Sequence, residues 1–204
     1  MRSLDRSWYL DLNSFSHHTH WAHGFMAAYA NWAGLVVLAL MVVGGWLWAR
    51  HRRSLDGVVA AVLAGLSALI ALGINHFVSQ AVARVRPCHA TAILVHHPTV
   101  SLSCAHDYSF PSDHAIIAGA LATGLVFVNR KLGAIAVVLA LLLAFARVYA
   151  GVHYPGDVIA GLLAGAAIAV VVWLVLRRPA TAIAARIAAT PLSPLISAGV
   201  TTKT

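Results

Sequence analysis

Glutamate does not occur in this 204-residue chain, and its six acidic residues are all aspartates. Charged residues of both signs make up only 10% of it, against 60% hydrophobic. A soluble domain carries roughly 25% charged residues, so this chain cannot clothe a water-facing surface. The shortage of charge excludes a soluble domain, and a mean hydropathy of +0.81 implies an integral membrane protein. Cysteine is nearly as scarce, with Cys88 and Cys104 the two examples. A secretory leader is not expected either: no apolar core of the needed length follows the early arginines, and no small-residue cleavage pattern appears in residues 1–24. The net charge of +8 does not point to nucleic acid. The basic residues sit in short clusters at the ends of apolar runs, which is the signature of membrane topology.

Five apolar runs are long enough, or nearly so, to cross roughly 30 Å of hydrocarbon as helices. They cover about 25–49, 57–80, 114–129, 132–149 and 157–177, and the third is short. The expected fold is therefore all-α: a polytopic membrane helix bundle of about five spans, with an N-terminal interfacial helix. Leu4, Trp8, Leu10, Leu12 and Phe15 give that helix its apolar face. Three segments follow: 1–24 interfacial, 25–178 in the membrane, and 179–204 as a loosely ordered cytoplasmic tail, with a short interfacial helix around 180–189. Gly65, Ala71 and Gly73, and Gly161, Ala164 and Gly165, are small residues that let helices approach closely in lipid. His17, His18, His20 and His23 are irregularly spaced and have no Cys or carboxylate among them, so they read as a solvated loop rather than a metal site.

Arg50, Arg52 and Arg53 follow the first run, Arg130 and Lys131 the third, and Arg177 and Arg178 the fifth. If the helices alternate, all three clusters fall on one side, which the positive-inside rule makes cytoplasmic. The opposite side carries Arg84, Arg86 and Arg147. It also carries the longest loop, about 85–113, with both cysteines and with His89, His96, His97 and His106. Two cysteines on an oxidising side invite a disulfide; two free thiols packed as small apolar groups are the alternative.

The remaining polar residues form three groups: Arg84-Val85-Arg86-Pro87, then Phe110-Pro111-Ser112-Asp113-His114, then Arg147 followed by His153 and Asp157. Arg, His and Asp at the last spacing seldom occur together by chance, and ionisable residues at membrane helix ends are costly and usually functional. His153 and Asp157 are four apart. With Pro155-Gly156-Asp157 opening a helix, the carboxylate can accept a hydrogen bond from one imidazole nitrogen and leave the other as a nucleophile. Arg86 and Arg147 offer planar, permanently charged forks for phosphoryl oxygens. Ser112 and the N–H groups at the start of the next helix can bind the same oxygens. Asp113 reads equally as an exposed-turn N-cap and as a residue that influences substrate choice.

This three-part pattern resembles the type 2 phosphatidic acid phosphatase (PAP2) superfamily over roughly residues 60–165. The resemblance implies that His153 attacks phosphorus to form a phosphohistidine and that His114 protonates the leaving oxygen. It implies no cofactor and no metal. The family's first motif usually begins with Lys seven residues before the Arg-Pro arginine, a position held here by Ser79. One phosphate contact is therefore missing or supplied by Arg84. That departure, the Ile74-Asn75 pair and the short N-terminal helix resemble the bacitracin-resistance branch, the undecaprenyl diphosphate phosphatases. The implied activity is hydrolysis of polyprenyl diphosphate to the monophosphate at the outer face of the plasma membrane, recycling the lipid carrier of cell-wall synthesis. Phosphatidylglycerophosphate or phosphatidate is the alternative substrate. The expected partners are the phospholipid substrate and the membrane itself, with no nucleic acid. A transporter is disfavoured, because the spans show no repeat and motif charge is confined to one side. A soluble haloperoxidase, which shares these motifs, is excluded by hydropathy.

Overall fold

The computed structural model describes residues 3–96 and 98–197, so Arg2, His97 and the last seven residues of the expected tail lie outside the described residues. Helix is the only regular secondary structure in the described residues. The elements are α1 (Ser3–His18), α2 (His23–Ala28), α3 (Gly34–His51), α4 (Leu55–Val82), α5 (Thr91–Leu94), α6 (Asp113–Val128), α7 (Arg130–Tyr149) and α8 (Pro155–Ala188). A π-helical turn, Tyr29–Ala33, joins α2 to α3, so that helix runs almost unbroken from residue 20 to residue 51. That stretch, α4, α7 and α8 are each long and apolar enough to cross a membrane. The protein is a polytopic membrane helix bundle.

Local chemistry sets the helix ends. The Ser54 side chain caps α4 by accepting from Gly57 N–H at 3.2 Å. Ala83, in the left-handed conformation at φ 50°, stops it. Asn129 alone separates α6 from α7, and its side chain accepts from Lys131 and Leu132 N–H, so the two helices form a tight antiparallel pair. Pro155 opens α8 in the first-turn position, where its missing N–H costs nothing.

The short run is the centre of the molecule. Helix α6 has 16 residues, about 24 Å of rise. It buries 10 of them among α4, α7 and α8. Glycine makes this possible at the tightest crossings. A methyl on Gly119 would strike the Leu162 carbonyl, and one on Gly165 would strike the Ile116 carbonyl, so α6 and α8 touch backbone to backbone. Gly161 shares that seam. Gly65 and Gly73, in contrast, face open space and pack nothing, contrary to the sequence expectation.

At the C-terminus the helix expected around 180–189 is present, but as the end of α8 rather than as a separate helix in a loose tail. Helix α8 does not end near residue 177 but runs through Pro179 to Ala188, across the expected segment boundary at 178/179. Ala184 is buried there against Val59 and Leu63 of α4, and tertiary packing holds a helix that the proline alone disfavours.

Candidate active site

The ends of α4, α6, α7 and α8 at one end of the bundle carry Arg84 and Arg86, Ser112 to His114, Arg147, and His153 with Asp157. His153 lies in the loop between α7 and α8 and is 1% exposed. Its Nε2 accepts from Arg86 Nη1 at 3.0 Å and from Arg147 Nη2 at 3.1 Å. A guanidinium can only donate, so Nε2 carries the lone pair and Nδ1 the proton. That proton is given to the Ser109 carbonyl at 2.9 Å. Burial, then the Arg147 and Arg86 cations, hold the imidazole pKa well below its ordinary value, so the ring is neutral.

Asp157 differs from its expected part. Its Oδ2 lies 3.5 Å from His153 Nδ1, beyond a good hydrogen bond, while the Ser109 carbonyl is closer. The carboxylate instead accepts from Tyr154 N–H at 2.9 Å, closing the first turn of α8, and from Arg84 Nη1 at 2.6 Å. Both place it as a brace for the loop that presents His153.

The two arginines facing His153 are held differently. Arg86 is 5% exposed; its Nε donates to Asp107 at 2.7 Å and its Nη1 also to the Val152 carbonyl at 3.1 Å. Arg147 is 7% exposed and donates to the Ala30 carbonyl at 3.1 Å. No carboxylate pairs with Arg147 among the described residues, so a buried cation stands without a balancing anion beside a neutral imidazole. Arg84 turns the other way, into a bridge between Asp5 and Asp157, and stacks on the Tyr154 ring at 4.0 Å.

His114 stands in the first turn of α6, and its Nε2–H donates to the Asn31 carbonyl at 2.9 Å. Asn31 and Ala30 are consecutive residues of the π-helical turn, so one local distortion supplies a carbonyl to His114 and another to Arg147. Such turns occur often at functional sites. Ser112 is fully buried at the N-cap, and its Oγ has no hydrogen-bond partner among the described residues. Asp113 follows it in the first turn rather than capping, and accepts from the buried Asn75 Nδ2 at 2.6 Å. Asn75 also donates to the Pro111 carbonyl at 3.1 Å, tying the C-terminal third of α4 to the loop before α6.

The structure thus brings His153, Arg86 and Arg147 into direct contact and links His114 to them through the π-helical turn. It holds Arg84 apart. Asp5, Asp107, Ser109 and the Ala30–Asn31 carbonyls are parts that motif reading does not find. For the two aspartates a signal existed: in a chain with six acidic residues, each one at the motif end needs a reason. Cys88 and Cys104 are joined in a disulfide with Cα atoms 6.3 Å apart, close in sequence to Arg86 on one side and Asp107 and Ser109 on the other. A cavity of about 640 Å³ opens beside Arg84, lined chiefly by Leu4, Trp8, Val82, Phe110 and Ile159.

The family model described as PAP2 superfamily matches residues 60–180. The chain belongs to the PAP2 superfamily. It is 32% identical to undecaprenyl-diphosphatase BcrC of Bacillus subtilis over 74% of this chain and 74% of that one. It is 34% identical to the putative undecaprenyl-diphosphatase YbjG of Escherichia coli over 64% of this chain and 62% of that one. Phosphatidylglycerophosphatase B of Bacillus subtilis is also similar, at 30% identity over 65% of this chain and 64% of that one. As a PAP2 protein with such relatives, the chain is a lipid phosphatase in a membrane.

Proposed function

We propose that this PAP2 phosphatase converts a polyprenyl diphosphate, of the undecaprenyl class, to the monophosphate at the outer face of the cell membrane. The observation that carries the reading is the convergence of two buried guanidiniums, one without a carboxylate partner, on the unprotonated nitrogen of a buried imidazole. That arrangement favours an incoming anion and points a nucleophile at it.

In the proposed reaction His153 Nε2 attacks the terminal phosphorus while Arg86 and Arg147 turn their donors to the equatorial oxygens, where charge spreads in phosphoryl transfer. The unpartnered Ser112 Oγ can donate to the same group. The bond from phosphorus to the bridging oxygen breaks, and polyprenyl monophosphate leaves with a proton from His114. His114 Nε2–H is already committed to Asn31, so the proton comes from Nδ1 of the doubly protonated imidazolium, which leaves the reaction as the neutral ring. Water then hydrolyses the phosphohistidine to inorganic phosphate and free His153. The arginines supply the positive charge for this mechanism, and no metal step is invoked. The similarity to undecaprenyl-diphosphatases over most of the chain supports the diphosphate substrate.

Phosphate release from purified undecaprenyl diphosphate and from phosphatidylglycerophosphate, each with and without a chelator, tests the proposal. The expected result is faster release from the diphosphate at a rate the chelator does not change. The similarity to phosphatidylglycerophosphatase B supports the second reading, and a preference for phosphatidylglycerophosphate would establish it.

A further inference from the structure

The N-terminal helix α1 lies outside the matched family region, yet it grips the loop that presents His153 at three places and Arg84 at a fourth. Tyr9 O–H donates to the Gly151 carbonyl at 3.2 Å, and the Tyr9 ring packs on Tyr154 with centroids 5.5 Å apart. Asp5 Oδ1 accepts from Gly156 N–H at 2.8 Å, in the first turn of α8. Asp5 Oδ2 accepts from Arg84 Nη2 at 2.5 Å, and the other arm of the same guanidinium reaches Asp157 at 2.6 Å. His153 sits between the first and last of these anchored residues.

Arg84 therefore lies between two carboxylates, and this explains why it is withheld from the phosphate site while Arg86, two residues on, reaches His153. With Asp5 uncharged, the Arg84 fork would keep only Asp157. The guanidinium could then swing, taking the brace on the His153 loop with it. We infer that Asp5 is a positioning residue of the reaction: acting through Arg84, it fixes Asp157 and the Gly151–Asp157 loop that presents His153. The inference rests on the proposed role of His153 as nucleophile.

Asp5→Asn preserves size and the acceptor for Gly156 N–H but removes the charge that holds Arg84. Its kcat should fall by about tenfold to a hundredfold, the scale of loss when a reacting group is displaced by about 1 Å. KM should stay within about threefold, and the loss should be equal on the lipid and on a small aryl phosphate, because the displaced group is the nucleophile in both reactions. In an Arg84→Gln background the same change should cost less than about twofold, because the two residues act as one unit. Arg6 supplies the control: it ties α1 to the Ala92 carbonyl and to His96, both at 2.8 Å, without touching Arg84. Arg6→Ala should keep kcat within about twofold of the parent. The inference is overturned if Asp5→Asn stays within that margin on both substrates, if its effect adds fully to that of Arg84→Gln, or if Arg6→Ala reproduces it. Full activity in His153→Ala would instead overturn the nucleophile assignment, and this inference with it.

Discussion

At the scale of single residues, the protonation of His153 is set by its neighbours. Two donors on Nε2 and one carbonyl on Nδ1 leave one neutral tautomer, and that tautomer is the nucleophilic one. The roles proposed for the two histidines separate by leaving group. A nucleophile cannot be bypassed, so His153→Ala should be inactive on lipid diphosphate and on an aryl phosphate with an acidic phenol. An acid can be bypassed when the leaving group needs no proton. His114→Ala should lose about 10²–10⁴-fold on a lipid monoester and recover most of that on the aryl ester, with the diphosphate between. Equal losses for both variants on all three substrates, measured as kcat/KM, would refute the assignment. The depressed pKa of His153 also predicts a pH effect on stability. Above about pH 6.5 the imidazole is neutral whether the chain is folded or unfolded, and it contributes no pH dependence. As pH falls below that, the unfolded chain binds a proton that the buried ring does not, so stability declines toward acid. Melting in detergent between pH 7.5 and 5 should therefore show a shallower acid decline in His153→Gln than in the parent. The motif residues were legible from sequence because each charged group near the membrane carries a high cost. Asp5 and Asp107 stand out only as scarce acids; their roles were not legible, because their arginine partners lie 79 and 21 residues away and only the fold brings them together.

At the scale of elements, the long apolar runs were legible and their surroundings were not. Helix α6 looked like a marginal span, but it is the buried axis on which the others pack, and its shortness sets Ser112 and His114 inside the bundle. The π-helical turn at Tyr29–Ala33 has no signature within an apolar run, although it supplies the carbonyls that orient Arg147 and His114. The alanine-rich stretch after Pro179 reads as a short separate helix in a loose tail, because the proline marks a break in a local view. Burial of Ala184 against α4 makes it the continuation of α8. Glycine function likewise depends on what lies opposite. Gly165→Ala drives a methyl into the Ile116 carbonyl of α6, where backbone cannot yield cheaply, and should destabilise by about 1–3 kcal/mol. Gly73→Ala meets nothing and removes glycine's entropic cost inside a helix, so it should be neutral or stabilise by about 0.5–1 kcal/mol. Melting temperatures of the two purified variants, taken side by side, check the contrast; a Gly165→Ala protein as stable as Gly73→Ala would mean that α6 and α8 are not in backbone contact.

At the scale of the whole molecule, basic residues divide between the two ends of the bundle and play different parts. At the site end, Arg6, Arg84 and Arg86 each bond a named partner, and Arg147 faces His153. At the other end, Arg50 lies in the last turn of α3, Arg52 and Arg53 lie between α3 and α4, Arg130 and Lys131 open α7, and Arg177 and Arg178 lie late in α8. None of these seven forms an ion pair among the described residues. Charges that are bonded into a site say little about orientation, whereas unpaired ones beside membrane spans are what the positive-inside rule counts. The unpaired cluster therefore supports the proposal that this end lies in the cytoplasm and that the site with its disulfide-bearing loop faces out. A cysteine placed at Arg52, which is exposed, should therefore resist a membrane-impermeant maleimide in intact cells and react once the membrane is opened. A cysteine at Ser14, exposed on α1 at the site end, should react in intact cells. The Cys88–Cys104 pair, being oxidised, should leave the parent chain unlabelled in both conditions. The reverse pattern, Arg52→Cys labelled in intact cells and Ser14→Cys protected, would put the site in the cytoplasm and end the proposal that it works on the outer leaflet.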